Sequence, residues 1–181
     1  CAQSGGPPMM TDDPGTVEFQ KLEINTSINT HLKSLIEMEV PLIDVNYGLR
    51  KGIQLKVEMP YLISETENKR ISGNPGSPSL GIKYRFMDQE NNIISASAYP
   101  AVVIPIHESD PAEIKLPLQF EKIFCSFLIG QEIGFLYNKI HSGSVLSGTL
   151  IGHKFSNKLE VMAEVHLQKN LQISHSTDAF L

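Results

Sequence analysis

Tryptophan is absent from this chain, cysteine occurs twice, and apolar residues never accumulate into a long continuous run. Cys1 and Cys125 are too few for a disulfide framework and lack the CxxC spacing of zinc or redox centres, so Cys125 is expected to be a partly buried thiol. A membrane-spanning helix needs about 18 or more consecutive apolar residues. The sequence therefore excludes a helical membrane protein, but it does not exclude strands that alternate lipid-facing and interior residues.

Basic residues are also scarce. The chain has 15 Lys and Arg residues against 20 Asp and Glu residues, which gives a net charge of -5 and a pI near 5.7. Nucleic-acid binding requires a basic surface that contacts phosphate groups, so no nucleic-acid partner is predicted. The 181 residues are enough to bury the core of one domain without a disulfide or a metal.

Motifs for catalysis and for cofactor binding are missing as well. The chain contains no GxSxG, HExxH, P-loop or GxGxxG pattern, so the sequence predicts neither an enzyme nor a cofactor site. A hydrolase on an outer rim would need Ser, His and an acid. His107, His141 and His175 do fall in predicted loops near serines, but this arrangement is common in loops without catalytic function.

One acidic group near the N-terminus is a candidate metal site. Asp12 and Asp13, together with Glu18, offer carboxylate oxygens of the kind that calcium prefers. Acidic segments of this kind are usually just solvated, so no metal site is predicted.

Residues 36–63 alternate apolar and polar side chains over two long runs that are joined at Arg50, Lys51 and Gly52. A period of two predicts a β-hairpin. Each run is about ten residues or longer, whereas strands in soluble domains average about 5 to 6 residues and strands that cross a bilayer need about 9 to 11. The length favours a membrane barrel with a periplasmic turn here. The row expected to face lipid is Ile53, Leu55, Val57 and Met59.

In the first run Val40 and Leu42 oppose Glu37 and Glu39, and the rest of the chain repeats this alternation, for example with Ile82 opposite Lys83. The pattern also predicts a softer strand over residues 94–104, a glycine-broken strand over residues 144–155, a loop over residues 64–79 and a tight reversal at Cys125 and Ser126. It predicts an all-β fold, a transmembrane antiparallel up-and-down β-barrel of about nine strands with the start of a tenth at Thr177. Residues 1–15 form an N-terminal lead-in segment and residues 16–181 form the barrel domain, which is expected to be truncated at its C-terminus. Connections alternate between short turns and long loops, as in outer-membrane barrels. Aromatic residues, Tyr99 among them, lie near predicted strand ends, where interfacial girdles form.

The polar face of these strands carries many charges, which cannot be buried in a dry core. In a barrel they would line the lumen, either as an aqueous path or as a salt-bridged plug. A soluble barrel such as a lipocalin would place the apolar face inside instead. Their net negative charge disfavours anionic solutes. The residues predicted to line the solute path are Lys21, Glu23, Glu37, Glu39, Lys56, Glu58, Lys83, Arg85, Glu132, Glu160 and Glu164.

Pro41 and Pro60 interrupt the two strands of the long hairpin. Proline cannot donate a hydrogen bond to a ladder and normally marks an edge or a bulge. A two-residue turn at Arg50 and Lys51 would pair Leu49 with Gly52 and would place the two prolines directly opposite each other. We therefore predict a gap or bulge at this level, on the lumen side, that shapes the passage.

The N-terminal sequence carries a resemblance to a known family. Residues 6–14, GPPMMTDDP, followed by Val17 and Glu18, resemble the GPPF-x-TDDP-x-x-VE opening of the bacterial transporter-like family named for the MetA pathway of phenol degradation. Four later segments are similar to strands of that family in the same order: EVPL at 39–42, VEMPY at 57–61, LGIKYRF at 80–86 and LPLQFEK at 116–122. The resemblance implies an outer-membrane β-barrel that passes small molecules, including aromatic or hydrophobic ones.

Both ends of the chain depart from a complete family member. Members of the family continue through further strands and commonly end on an aromatic residue, whereas residues 178–181 lie within a predicted strand. The chain is therefore expected to be a fragment. Cys1 and Ala2 are expected to be the remnant of a removed export signal, with a lipidated Cys1 as the alternative.

These observations predict a passive channel or uptake port in the bacterial outer membrane, exported with its signal peptide removed. Its expected partners are outer-membrane lipid and a small-molecule solute, and the sequence does not indicate an oligomeric state. Two alternatives remain open. One is a soluble or periplasmic ligand-binding barrel, and the other is a structural outer-membrane protein with a plugged lumen.

Overall fold

The structure is a computed structural model that describes residues 9–32, 36–65, 71–107, 110–138, 142–156 and 158–171. Within these ranges no helix is long and apolar enough to span a membrane. The strands are β1 (Leu22–Leu32), β2 (Ile36–Arg50), β3 (Ile53–Glu65), β4 (Ile71–Pro75), β5 (Ser79–Met87), β6 (Ser95–Ala98), β7 (Ala101–Val103), β8 (Glu113–Phe124), β9 (Phe127–Asn138), β10 (Ser142–Ser156) and β11 (Leu159–Leu171).

All these strands belong to one 11-stranded sheet in which the pairings are antiparallel. The order is β1-β2-β3-β5-β6-β8-β9-β10-β11, while β4 pairs with β3, and β7 pairs with β5 and β8. The predicted all-β, antiparallel, up-and-down architecture is confirmed. Among the described residues no pairing joins β1 to β11, so these two strands are the edges of the sheet.

A short strand lies in a segment that the sequence predicted to be a loop. Residues 64–79 contain β4, which pairs with the end of β3 from Tyr61↔Pro75 to Glu65↔Ile71. The prediction relied on Gly, Pro and Ser as loop residues. It was wrong for β4, because an edge position tolerates proline without losing a ladder bond.

The strand predicted over residues 94–104 is divided into β6 and β7 at Tyr99 and Pro100. Both pieces pair with the same neighbours, β5 and β8. Proline lacks an N–H donor, but the Pro100 carbonyl still accepts a hydrogen bond from Ile82 N at 3.0 Å. These two differences raise the strand number above the predicted nine, and the tenth strand predicted from Thr177 lies outside the described residues.

The alternation of side chains gives the sheet a polar inner face and an apolar outer face. On β5, Lys83 is 2% exposed, whereas its neighbours Ile82 and Tyr84 are 48% and 52% exposed. The sheet curls around its inner face, because a single cavity is lined by Ser27 of β1 and by His166 of β11. Polar groups are therefore enclosed, while most of the large apolar side chains point away from the interior.

The turn of the long hairpin is displaced by one residue from the prediction. Arg50 pairs with Ile53, so Lys51 and Gly52 form the turn, and Leu49 does not pair with Gly52. Gly52 has a φ of 75°, a left-handed conformation that favours glycine.

Pro41 and Pro60 do not lie opposite each other, so this prediction was wrong. Pro60 pairs with Leu42 and Glu39 pairs with Leu62. Val40 and Pro41 therefore oppose a single residue of β3, which is a β-bulge, and the peptide bond between them is cis. A bulge was predicted at this level, but its cause is an extra residue in β2 rather than two aligned prolines.

The bulge moves the alternation of β2 by one residue. Glu39 lies on the inner face before the bulge, and Asp44 and Asn46 lie there after it. Leu42 was predicted to share the outer face with Val40, but it lines the interior cavity. A bulge is the device that lets one strand keep its polar residues inside when the sequence pattern changes phase.

Aromatic rings gather at the end of the sheet that carries the short turns. Phe124 and Phe127 stack with ring centroids 5.8 Å apart, and His153 lies 4.3 Å from Phe127 and 4.4 Å from Phe155. Tyr99 does not join this group, because it is 5% exposed and points inward.

Cys125 lies in the tight turn between β8 and β9, as the reversal predicted there requires. The residue has a φ of 54°, and its side chain is exposed. The prediction of a partly buried thiol was wrong, because the turn projects Cys125 beyond the packed strands.

The described chain before β1, residues 9–21, has no regular secondary structure, and its residues 9–20 are called the lead-in. It lies on the inner face of the sheet. At Phe19 and Gln20 it reverses into β1, and Gln20 N donates to Gly48 O at 2.8 Å. The predicted boundary after residue 15 thus falls inside this segment, and residues 1–8 lie outside the described part of the chain.

Candidate functional site

Side chains of two distant strands hold the first part of the lead-in. The backbone N–H groups of Met10 and Thr11 donate to the carboxylate of Glu164 on β11, at 2.9 and 3.0 Å. The N–H of Asp12 donates to Glu132 on β9 at 3.1 Å. Backbone donors without strand partners need other acceptors when they leave water, and these carboxylates supply them.

The second part of the lead-in is held by β3. Val17 N donates to Gln54 Oε1 at 2.7 Å, and the amide of Gln54 donates in turn to Asn46 on β2. Gln54 and Asn46 are 4% and 2% exposed. The segment is therefore held near both ends by polar side chains of the inner face.

Two glycines let the lead-in approach the sheet closely. A Cβ at Gly148 would lie 2.3 Å from Thr11 Oγ1, and a Cβ at Gly48 would lie 2.0 Å from the carbonyl oxygen of Glu18. Contacts under 3.0 Å require something to move, so only glycine fits these positions. Gly148 does not break β10, as its sequence suggested, but makes room for the lead-in.

Asp12 forms the centre of the site. Its Oδ2 atom lies 2.9 Å from Nζ of Lys56 on β3 and 2.9 Å from Nζ of Lys83 on β5. Lys83 Nζ also donates to the carbonyl oxygen of Asp13 at 2.7 Å. The side chains of Lys56 and Lys83 are only 4% and 3% exposed, so a single carboxylate from the lead-in joins two buried cations.

The ionisation of Asp12 follows from these neighbours. Burial by itself raises the pKa of this carboxyl, but the charges and hydrogen bonds of Lys56 and Lys83 outweigh it and hold the pKa of Asp12 well below its usual value of 3.8. Asp12 is therefore a carboxylate at neutral pH. Its negative charge is what allows the two ammonium groups to lie so deep.

Further acidic groups surround Lys56 in particular. Glu58 Oε1 lies 3.3 Å and Asp44 Oδ2 lies 3.7 Å from its Nζ atom, and the ring centroid of Tyr99 lies 5.4 Å away. Glu132, which accepts from Asp12 N, lies 3.3 Å from the Gln119 amide. We call Asp12, Asp44, Lys56, Glu58, Lys83 and Glu132 the central cluster.

The central cluster separates two cavities on the inner face. The loop-end cavity, of about 580 Å³, is lined by Glu39, Pro60 and Glu113 toward the long loops. The turn-end cavity, of about 300 Å³, is lined by Arg85 and Ile123 toward the short turns. Asp12 and Lys56 line both cavities. The lead-in thus crosses the interior at the level where a continuous passage would have to run.

The structure brings together most of the charged residues that the sequence predicted for the interior. Lys56, Glu58, Lys83 and Glu132 belong to the central cluster, and Glu164 binds the lead-in. Glu39 lines the loop-end cavity, whereas Glu23 and Arg85 line the turn-end cavity.

Three predicted interior charges lie elsewhere. Lys21 precedes β1, is 66% exposed and pairs with Glu18 at 2.6 Å. Glu37 and Glu160 are exposed. Of the two prolines predicted to shape the passage, Pro60 lines the loop-end cavity and Pro41 is an exposed bulge residue.

Sequence reasoning missed the residue at the centre. Asp12 was interpreted as part of a solvated acidic segment, or as a calcium ligand with Asp13 and Glu18. The resemblance at residues 6–14 was the available signal, because it singled out Asp12 and Asp13, but nothing in the pattern placed them against lysines. Asp44 and Asn46 were detectable from the phase change that follows Pro41.

The arrangement brings opposite charges together in the interior. Within the described ranges there is no group of three His, Cys, Asp or Glu side chains that could hold a metal ion. His141, His175 and their serine neighbours lie outside the residues whose side chains are described. What the site offers is a pair of buried ammonium groups that share one carboxylate, between two cavities of about 580 and 300 Å³. No protein-family model, curated protein or solved structure matches the chain.

Proposed function

We propose that the chain forms a transmembrane antiparallel β-barrel of the bacterial outer membrane and acts as a passive channel for small molecules. The observation that carries this proposal is the inverted polarity of the sheet. Charged and amide side chains are enclosed, as Lys83 and Gln119 are at 2% and 0% exposure, while rows of Ile, Leu, Val, Phe and Tyr face outward. A water-soluble protein gains stability from the opposite arrangement.

Strand length supports the same proposal. β8 and β9 have 12 residues each, and β10 has 15, whereas a tilted strand needs about 9 to 11 residues to cross a bilayer. The ring cluster of Phe124, Phe127 and Phe155 marks one end of the outer face, where aromatic side chains favour the membrane interface. The short turns at this end are assigned to the periplasmic side.

The two cavities are the proposed solute path. They lie on either side of the central cluster and are lined by charged and amide groups that can hydrate a small solute. The cavities are small, so the proposed path admits small molecules and not proteins or polymers. The accepted solutes include molecules with an apolar part, because Leu136 and Leu146 also line the loop-end cavity.

A structural outer-membrane protein with a plugged lumen is the second candidate. The lead-in favours it, because Asp12 closes the interior between Lys56 and Lys83. The soluble binding barrel receives no support, because the exposed face is the apolar one.

Two measurements separate these candidates. The full chain is expressed with an export signal, fractionated, and run on detergent gels with and without boiling. We expect it in the outer membrane with heat-modifiable migration, and recovery in a soluble fraction without heat modification would contradict the barrel. Conductance across a planar bilayer then distinguishes a channel from a plugged barrel, because the plugged barrel inserts without carrying current.

A further inference from the structure

The two lysines of the central cluster depend on the lead-in to different degrees. Lys56 has Glu58 and Asp44 within 4.0 Å as well as Asp12. For Lys83 Nζ, the polar contacts within the described chain are the Asp12 carboxylate at 2.9 Å and the Asp13 carbonyl at 2.7 Å. Withdrawal of the lead-in would remove both contacts and leave Lys83 with the longer-range attraction of Glu132 on β9.

Separation of a buried ion pair is unfavourable, because desolvation of the ammonium group is no longer offset by a close counter-charge. We therefore expect the lead-in to leave the interior more readily when another anion takes the place of Asp12. The required anion has the size and charge of a carboxylate, since the present occupant is one. Its binding position is defined by two Nζ atoms that share one oxygen.

We propose that Lys56 and Lys83 form a carboxylate-binding site that Asp12 fills from within the chain, and that a small organic carboxylate with an apolar body competes with Asp12 for it. The inference rests on the proposed channel where it concerns transport. Replacement of the Asp12 carboxylate by that of the ligand would move the lead-in out of the passage.

The apolar body is inferred from the side chains beside the lysines. The loop-end cavity is lined by Leu42, Leu136, Leu146 and Tyr99 in addition to Lys56. Its volume of about 580 Å³ lies within the range of about 300 to 1,000 Å³ that holds small ligands. A carboxylate head on the lysines would direct the rest of the molecule against these leucines.

The net negative charge of the interior disfavours anionic solutes in general. This average does not apply at the level of Lys56 and Lys83. With Asp12 in place, the site has two cations and several carboxylates. Once Asp12 leaves, Lys83 loses the carboxylate that lies 2.9 Å from its Nζ atom. Selectivity for a carboxylate then comes from one position, and not from the average charge along the path.

The test uses the detergent-solubilised full chain and follows hydrogen exchange of peptides that cover the lead-in. The amides of Met10, Thr11 and Asp12 are the reporters, because they donate to Glu164 and Glu132. Sodium butyrate is the probe. Acetate lacks the apolar body and 1-butanol lacks the charge, so both serve as comparison ligands at equal concentration and ionic strength.

We expect butyrate to accelerate exchange in the lead-in by about fivefold or more, because exchange reports opening of local structure, with little effect of 1-butanol and an intermediate effect of acetate. Lys83→Met should abolish the butyrate effect. Lys158→Met, in an exposed turn, should retain it. Equal acceleration by butyrate and 1-butanol, or a full effect in Lys83→Met, would overturn the proposal.

A second measurement guards against a variant that fails to fold. Asp12→Asn removes the competing carboxylate, so equilibrium dialysis should show butyrate binding about tenfold tighter than in the unaltered chain. Lys83→Arg, which keeps the charge, should still bind butyrate. Weaker or unchanged binding in Asp12→Asn contradicts the competition. Butyrate binding without any bilayer conductance would reject the channel and keep the site, whereas conductance without butyrate binding would reject the site alone.

Discussion

Thr11 packs directly on Gly148, so that a Cβ at position 148 would lie 2.3 Å from Thr11 Oγ1. The contact joins the lead-in to β10, and Thr11 is 1% exposed there. The hydroxyl has little room to retreat, because both partners are enclosed. The position of the lead-in therefore depends on the absence of a side chain at Gly148.

Gly148→Ala should displace the lead-in without touching a charged residue. Overpacking of this kind costs about 1 to 3 kcal/mol, and we expect a higher single-channel conductance and faster hydrogen exchange in the lead-in. Gly152→Ala is the matched control on the same strand, because its Cβ would come no closer than 3.3 Å to Met162 Cγ, so that a small shift of the flexible methionine side chain makes room for it. Equal effects of the two substitutions would show that Thr11 does not depend on Gly148.

The stability contributed by Asp12 should vary with pH in a defined direction. Its pKa in the folded chain is held below the usual value of 3.8 because the nearby Lys56 and Lys83 charges outweigh the effect of its burial. The contribution is therefore fully present above about pH 4 to 5 and is lost as the pH falls through the folded pKa.

The measurement is the difference in urea midpoint between the unaltered chain and Asp12→Asn over a range of pH. The other carboxyl groups of the central cluster are present in both proteins, so the comparison isolates the substitution at position 12. We expect a constant difference from neutral pH to about pH 5, which shrinks below about pH 4. A difference that grows in acid would contradict the assigned charge state.

A charge on the outer face should prevent membrane assembly. Ile82 lies on the outer face beside Lys83, at the level of the central cluster. Lysine at the midplane of a barrel costs about 2 to 4 kcal/mol, and the cost falls to about 0 to 1 kcal/mol near the interface. We expect Ile82→Lys to lose heat-modifiable protein in the outer membrane, while Leu49→Lys, next to the turn, retains it. Normal assembly of Ile82→Lys would contradict a lipid-facing outer face.

Deletion of Pro41 should be tolerated although it shortens a strand. The register changes by one residue between Glu39↔Leu62 and Leu42↔Pro60. Removal of one bulge residue therefore makes the ladder continuous and leaves Asp44 on the inner face. Deletion of Val45, in the regular part of the strand, should instead reverse the faces on one side of it. We expect folded barrel from the first deletion and not from the second, as judged by heat-modifiable migration.

The sequence was sufficient for the parts of the fold that depend on alternation. Ile82 and Lys83 were assigned to opposite faces, and the structure places them there, because a period of two is a local property of the strand. The register near Pro41 was not predictable in this way. The extra residue in β2 changes the pairing of all the residues that follow it in the strand. In the sequence, the only sign of this change is the shift in alternation at Asp44 and Asn46.

The candidate site was predictable in part for a related reason. Lys56 and Lys83 carry the strand pattern, so their inward direction could be inferred. Asp12 lies in a segment without periodicity, and its contacts depend on Gly148 and Glu164, which are far away in the chain. No local rule connects an irregular segment to the inner face of a sheet that forms after it.

The hydrogen bond from Met10 N to Glu164 spans 154 positions of the chain, and this sets an order of events in time. The lead-in emerges first during synthesis, yet its acceptor on β11 is in place only after the strands between them have paired, because long-range contacts form after local ones. We therefore expect the lead-in to dock only after the sheet has formed, so that protection of the Met10 amide indicates that β11 is already paired.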